Sequence, residues 1–221
     1  MSTPHIFMNP FLQNIFSTPL LMGHSDTESI RSEIIDLAYK LRAGLSQGNL
    51  VSEGWDIASS SSDPLDFARE GVTSFNSTES LTLLPEWNNV TAFIKDFAKT
   101  MAKSMDNTLT YELLNMWTTI YPPGAFVPEH VHSNSTLSGV FYAKAETNCG
   151  EIVFSDPSWV AKTMSFPSRK GAYPDVPTKY RVAPEPGLML LFPSWLPHKS
   201  MANRSQEDRI IISFNMKLTN I

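Results

Sequence analysis

The sequence predicts a mainly β protein, a sandwich or barrel with two helices laid on one face. Three observations carry this expectation. From residue 108 onward, six short runs separated by Gly, Pro, Asn or Ser clusters read as strands: Tyr111–Tyr121, Leu137–Ala143, Glu151–Phe154, Lys179–Val182, Gly187–Phe192 and Arg209–Lys217. No helical period falls between them, so the pattern is that of an antiparallel sandwich or barrel and not of βαβ units. Ahead of them lie two segments whose apolar residues recur at helical spacing. The chain has 221 residues, 42% of them hydrophobic, enough to bury one sizeable core. The change of character near residue 108 divides it into an N-terminal helical extension, 1–107, packed on a β core, 108–221, as one integrated domain.

Taken in order, residues 5–22 are apolar but broken by Pro10 and Pro19, which suits an edge strand over Ile15–Leu21. Ser25 and Glu28 have capping-box spacing. The helix that follows carries Ile30, Ile34, Leu37, Ala38, Leu41 and Leu45 on one face, with Gly44 or Gly48 as its stop. Residues 49–80 read as a long loop, a candidate lid, with a short helix from Asp63-Pro64 to Gly71. A second helix is expected over Pro85–Ser104, with Val90, Phe93, Ile94, Phe97, Met101 and Met105 on its apolar face. Both stripes read as core packing. Residues 156–178, rich in proline and aromatics, read as an ordered insertion near the mouth of the barrel.

The gross numbers exclude several functions. The net charge is −5 and no Lys/Arg cluster occurs, which argues against a nucleic-acid partner. No apolar run reaches the length that spans a bilayer, so no membrane partner is expected. The N-terminus lacks the positive stretch of a signal peptide. Cys149 is the single cysteine and rules out an internal disulfide framework. Asn134-Ser135-Thr136 is a glycosylation sequon, but a glycan there would collide with the site described next. The expected setting is a reducing cytoplasm, with a homodimer left open.

Chemistry concentrates in the stretch His130 to Tyr142, H-V-H-S-N-S-T-L-S-G-V-F-Y. Residues two apart on an extended segment share a side, so His130 and His132 can aim two imidazoles at one metal ion. Taken alone, they read equally well as two surface histidines near a turn. Downstream, His198 in F-P-S-W-L-P-H can return beside them and complete a facial set. Arg209 heads the apolar strand R-I-I-I-S-F-N. A buried cation needs an anionic partner, either a bound carboxylate gripped two-pronged or a carboxylate of the fold such as Glu207 or Asp208. Ser213 lies on the same side of that strand, and Tyr142 can reach the same cavity.

Read together, the pieces S-G-V-F-Y, F-S-D-P, L-F-P-S-W-L-P-H and R-I-I-I-S-F-N resemble a family of 2-oxoglutarate/Fe(II) oxygenases found in bacteria and marine phages, in the prolyl-hydroxylase-like branch. The resemblance covers about residues 112–217. It implies a double-stranded β-helix, the cupin-like jelly roll, with Fe(II) and the cosubstrate 2-oxoglutarate. It implies that His130 and His198 are metal ligands and that Arg209 grips the C5 carboxylate of 2-oxoglutarate, assisted by Ser213 and Tyr142. Most of the superfamily carries Asp or Glu where this chain has His132. The closer family shares the second histidine, so the expected catalytic and metal set is His130, His132 and His198, with Asp156 the reserve carboxylate. The expected activity is hydroxylation of a small-molecule or peptidyl substrate, prolyl included, with Trp159, Phe166, Tyr173 and Trp195 as candidates to line the approach.

Two other readings compete. A different cupin enzyme is suggested by Gly124 five residues ahead of the H-x-H and Gly187 ahead of Pro193 and His198. That reading lacks the cupin glutamate, since Thr136 and Leu137 stand in its place, and it gives Arg209 no role. The other is a non-catalytic jelly-roll binding module with incidental histidines.

Overall fold

The computed structural model describes residues 17–46, 56–57, 72–75, 80–158 and 178–219. The expected stop at Gly48, the short helix at 63–71, Ile15 and Phe16, and residues 159–177 of the insertion lie outside these. Among the described residues two antiparallel sheets face each other. The larger runs β1 (Leu21–His24), β8 (Leu188–Pro193), β5 (Leu137–Lys144), β10 (Arg209–Leu218), β4 (Tyr111–Tyr121), β3 (Val72–Thr73) and β2 (Asp56–Ile57) in spatial order. The smaller runs β7 (Lys179–Val182), β6 (Ile152–Ser155) and β9 (His198–Ser200). The six strands expected after residue 108 are present within about a residue at each end. Three short strands from the first 107 residues join the larger sheet. β3 pairs with β4 through Val72↔Ile120 and Thr73↔Thr119, inside what the sequence suggested was loop, because a two-residue strand is too short to show a period. The β1 strand begins at Leu21 and pairs with β8.

Two helices cover one face of the larger sheet. The first, α1 (Glu28–Ser46), buries Ile30, Ile34, Ala38 and Leu41. Its start differs from the expected capping box: the Ser25 hydroxyl accepts from the Thr27 N–H at 3.3 Å, and the Thr27 carbonyl accepts from the Arg31 N–H. It also runs through Gly44 to Ser46, since one glycine costs a helix only about 1 kcal/mol. Proline at 85 opens a 3-10 turn, Pro85–Trp87, which leads into α2 (Asn88–Lys103). Val90, Ile94, Ala98, Met101 and Ala102 make its buried face, whereas Met105, beyond its end, is 39% exposed.

Alternation along each strand of the larger sheet separates two environments. Ile210, Ile212, Phe214 and Met216 of β10 pack with Met116 and Ile120 of β4, Phe141 of β5 and the helices. The intervening side chains of β10, Arg209, Ile211, Ser213 and Asn215, line a cavity between the sheets. Close packing on the helix side requires Gly139, where a Cβ would lie 2.2 Å from the Phe214 ring.

Candidate active site

Backbone pairing brings the three histidines together. His198 opens β9 and pairs with Phe154 of β6 on one side. On its other side it exchanges two backbone hydrogen bonds with His130, each 3.0 Å. The H-x-H segment thus extends the smaller sheet by a bridge, and the His132 N–H then donates to the Ser194 carbonyl at 2.9 Å. One ring nitrogen from each histidine lies within 4.8 Å of the others, a facial arrangement around one point. Asp156, the reserve candidate, lies elsewhere: its Oδ1 accepts from the Ser158 N–H and hydroxyl, and it is not part of the cavity wall.

The hydrogen-bond pattern around the three rings suits them to hold a metal ion. Each Nδ1 faces an oxygen: Pro128 O at 2.9 Å for His130, Leu196 O at 2.8 Å for His198 and Asn215 Oδ1 at 2.8 Å for His132. Such oxygens accept, so Nδ1 carries the proton and Nε2 keeps its lone pair for a metal. The Nε2 of His132 is buried with no partner among the described residues, a costly state for a polar atom unless a ligand completes it. Burial drives the His132 imidazole down from its ordinary pKa, with the Asn215 bond opposing and the His130 charge adding. Burial takes His198 down to about 3, with His130 again adding; Phe192 meets that ring edge-on at 4.7 Å. Both are therefore neutral near pH 7, the form that binds a metal. A divalent transition metal such as iron fits this donor set.

Arg209 lies in the same cavity and is 1% exposed. Its Nη1 donates to the Cys149 and Gly150 carbonyls at 2.6 and 2.7 Å, its Nη2 to the Ser200 hydroxyl at 3.0 Å. The guanidinium also sits 4.4 Å from the Tyr121 ring centre. The acids suggested by the sequence are engaged elsewhere, Glu207 by Lys144 at 2.9 Å and Asp208 by Arg42 at 2.8 Å. Among the described residues the cavity wall holds no Asp or Glu, so the Arg209 charge meets neutral groups and suits an anionic ligand. Gly150 allows the backbone to wrap the guanidinium: its φ is +94°, and a Cβ there would fall 2.2 Å from the Met201 carbonyl. Burial raises the pKa of the Tyr142 and Tyr121 phenols, with Arg209 opposing in each, so both remain protonated donors. Tyr142 and Ser213 also line the cavity, whose volume is about 590 Å³.

Trp195 does not belong to this wall. It is 54% exposed, and Phe75, Trp117 and Phe126 supply the aromatic lining instead. Trp117 stacks on His132 at 5.7 Å. Sequence reasoning passed over Trp117, Tyr121 and Asn215, although strand alternation puts Asn215 on the face of Arg209 and Ser213.

Residues 115–215 match the model of a family described as "Putative 2OG-Fe(II) oxygenase". The match spans the core from β4 to β10. Solved structures share the fold at low identity. A prolyl-4-hydroxylase of Pseudomonas putida aligns over 90% of this chain and 93% of its own, with 13% identity and a TM-score of 0.54. AviO1 of Streptomyces viridochromogenes aligns over 90% of each, with 16% identity and a TM-score of 0.57. The epimerase SnoN, solved with Fe3+, α-ketoglutarate and nogalamycin RO, aligns over 90% of this chain and 77% of its own, with 13% identity and a TM-score of 0.55. A sequence search of curated proteins gave no match. No described helix is long and apolar enough to cross a membrane.

Proposed function

We propose that this chain is a 2-oxoglutarate/Fe(II) oxygenase that hydroxylates an unactivated carbon of a small-molecule or peptidyl substrate, with His130, His132 and His198 as the metal ligands and Arg209, Tyr142 and Ser213 as the cosubstrate grip. The observation that carries this reading is a cavity holding both a ring nitrogen, His132 Nε2, and a buried guanidinium, the first without a hydrogen-bond partner and the second without a carboxylate among the described residues. When bound, iron and 2-oxoglutarate supply O2-dependent oxidation coupled to decarboxylation of the cosubstrate to succinate. The chain's own residues bind, orient and exclude water. Arg209 and the Tyr142 phenol offer donors to the C5 carboxylate at the closed end, and Ser213 adds a hydroxyl between that end and the histidines. The rings of Phe192 and Trp117 shield two of the three imidazoles from solvent.

A cupin of another kind is disfavoured, because it would leave Arg209 buried in the cavity wall without a purpose. The test is succinate release from 2-oxoglutarate, measured anaerobically and in air across a set of proline-containing peptides, free amino acids and other metabolites. Stimulated O2-dependent turnover by one class, with a product heavier by one oxygen atom, is expected. Turnover without any oxygenated product from any class removes hydroxylation from the account.

A further inference from the structure

Two of the three candidate ligands lean on backbone carbonyls, whereas His132 leans on a side chain, Asn215. Asn215 is 7% exposed and sits where β10 slips in register against β4: Asn215 faces Asn115, but Met216 faces Leu113, leaving Leu114 unpaired. Its Oδ1 also accepts from the Ser138 hydroxyl at 2.7 Å. Ser138 lies 2.9 Å from the Ser194 hydroxyl, and Ser194 accepts from Ser135 at 2.9 Å. Ser138 and Ser194 are buried, at 0% and 1% exposure.

Followed inward from Ser135, which lines the cavity, each hydroxyl can donate to the next and the last donates to Asn215 Oδ1. The chain therefore presents the amide oxygen, and not the amide nitrogen, to His132. The alternative has a chemical cost. An amide turned the other way would offer an N–H to His132 Nδ1, move the ring proton to Nε2 and block the lone pair that a metal needs.

We infer that Asn215 is the positioning residue that lets a histidine serve as third ligand, and that Ser138, Ser194 and Ser135 hold its amide in the required orientation. This rests on the reading of His130, His132 and His198 as ligands. Asn215 fixes the His132 tautomer and leaves the imidazole neutral. An aspartate at the same place would share the Nδ1 proton and give the ring partial anionic character, nearer to the carboxylate that the wider superfamily carries.

Two measurements on the full chain test this without turnover. Long-range 1H–15N correlation on the metal-free protein reads the His132 tautomer, and Nδ1–H is expected. Anaerobic Co(II) titration without 2-oxoglutarate, followed by visible absorption, reads the affinity and the ligand field. Asn215→Ala should weaken Co(II) about ten- to a hundred-fold, and Ser138→Ala should weaken it less. Asn215→Asp, nearly isosteric, should bind at least as tightly as the parent with shifted absorption bands, and it decides the matter should the alanine variant fail to fold. An Nε2–H tautomer in the parent, or parent-like bands or weaker binding for Asn215→Asp, overturns the positioning role. His132→Ala in the same titration separates the two levels: unchanged Co(II) affinity there removes the three-histidine reading itself.

Discussion

The two faces of the larger sheet are built from the same strands and do opposite work. On β10, Ile210, Ile212, Phe214 and Met216 face the helices, and Arg209, Ile211, Ser213 and Asn215 face the cavity. The β5 strand divides likewise, with Leu137, Phe141 and Ala143 toward the helices and Val140 and Tyr142 toward the cavity. The helix face has an apolar residue at nearly every position, and the buried Thr118 hydroxyl of β4 is absorbed by the Ile211 carbonyl at 2.9 Å. The cavity face keeps a cation, hydroxyls and amides that only partly satisfy one another. The lesson is that stability and function occupy alternate residues of one strand, so substitutions one residue apart should separate them.

The largest effect is expected from the helix face. Phe214 is fully buried and fills the space above Gly139. Phe214→Ala should cost about 3–5 kcal/mol of stability, seen as a lowered denaturant midpoint, while Co(II) binding at a temperature where the variant is folded stays within a few-fold of the parent. A comparable loss of stability from Ser213→Ala, on the other face, would erase the distinction.

Acid should act on the cavity face. The folded His198 pKa is about 3, below the unfolded value of about 6.5. Between these limits the unfolded chain holds a proton that the folded chain does not. The His198 contribution is thus fully present above about pH 6.5 and is lost as the pH falls toward 3. Metal-free parent should lose stability more steeply than a His198→Gln variant over that window, measured by chemical denaturation at each pH. Parallel curves would mean that His198 titrates normally in the folded protein.

Arg209 comes next. Arg209→Lys keeps the charge and loses the fork, which should cost about 1–3 kcal/mol, roughly ten- to a hundred-fold in 2-oxoglutarate affinity. Arg209→Ala should cost more. Neither should alter metal binding, since the guanidinium contacts carbonyls, Ser200 and Tyr121 and no histidine. Anaerobic titration of the metal-loaded protein checks this, and unchanged affinity in a folded Arg209→Ala variant would detach 2-oxoglutarate from this end of the cavity.

How much of this the sequence disclosed follows the length of each signal. An eleven-residue strand such as β4 or a helix with four buried apolar residues declares itself by period, and both were legible. The two-residue strands β2 and β3 have no period to read. His130, His132 and His198 were legible as a set because the H-x-H fixes two of them and the order of motifs supplies the third. That Arg209 has no acidic partner among the described residues was not legible, because Glu207 and Asp208 stand beside it in sequence. Only the fold shows that Lys144 and Arg42 engage them. Asn215 is the converse case: the alternation was in plain view, but an asparagine at the end of an apolar strand gives no chemical reason to be singled out until His132 is found 2.8 Å away.

The smallest effect concerns the residue just before Arg209, and it makes the sharpest comparison. Asp208 lies on the helix side, where its carboxylate accepts from Arg42 at 2.8 Å and from the Tyr39 hydroxyl at 3.1 Å, both on α1. Its side chain is 15% exposed and that of Arg42 is 42% exposed, so solvent screens the pair and it should contribute about 0–1 kcal/mol. The Tyr39 phenol is raised chiefly by burial and next by the Asp208 charge. Asp208→Asn removes that charge and keeps the shape. It should lower stability by no more than about 1 kcal/mol, less still in high salt, and bring the Tyr39 pKa down toward its ordinary value. It should leave 2-oxoglutarate affinity unchanged, although the substitution is covalently adjacent to Arg209. Titration of Tyr39 by ultraviolet absorbance and of the cosubstrate by calorimetry provides both readings. A ten-fold change in cosubstrate affinity would show that the helix clamp and the arginine act as one unit, and that the two faces of β10 are coupled at its first turn into the sheet.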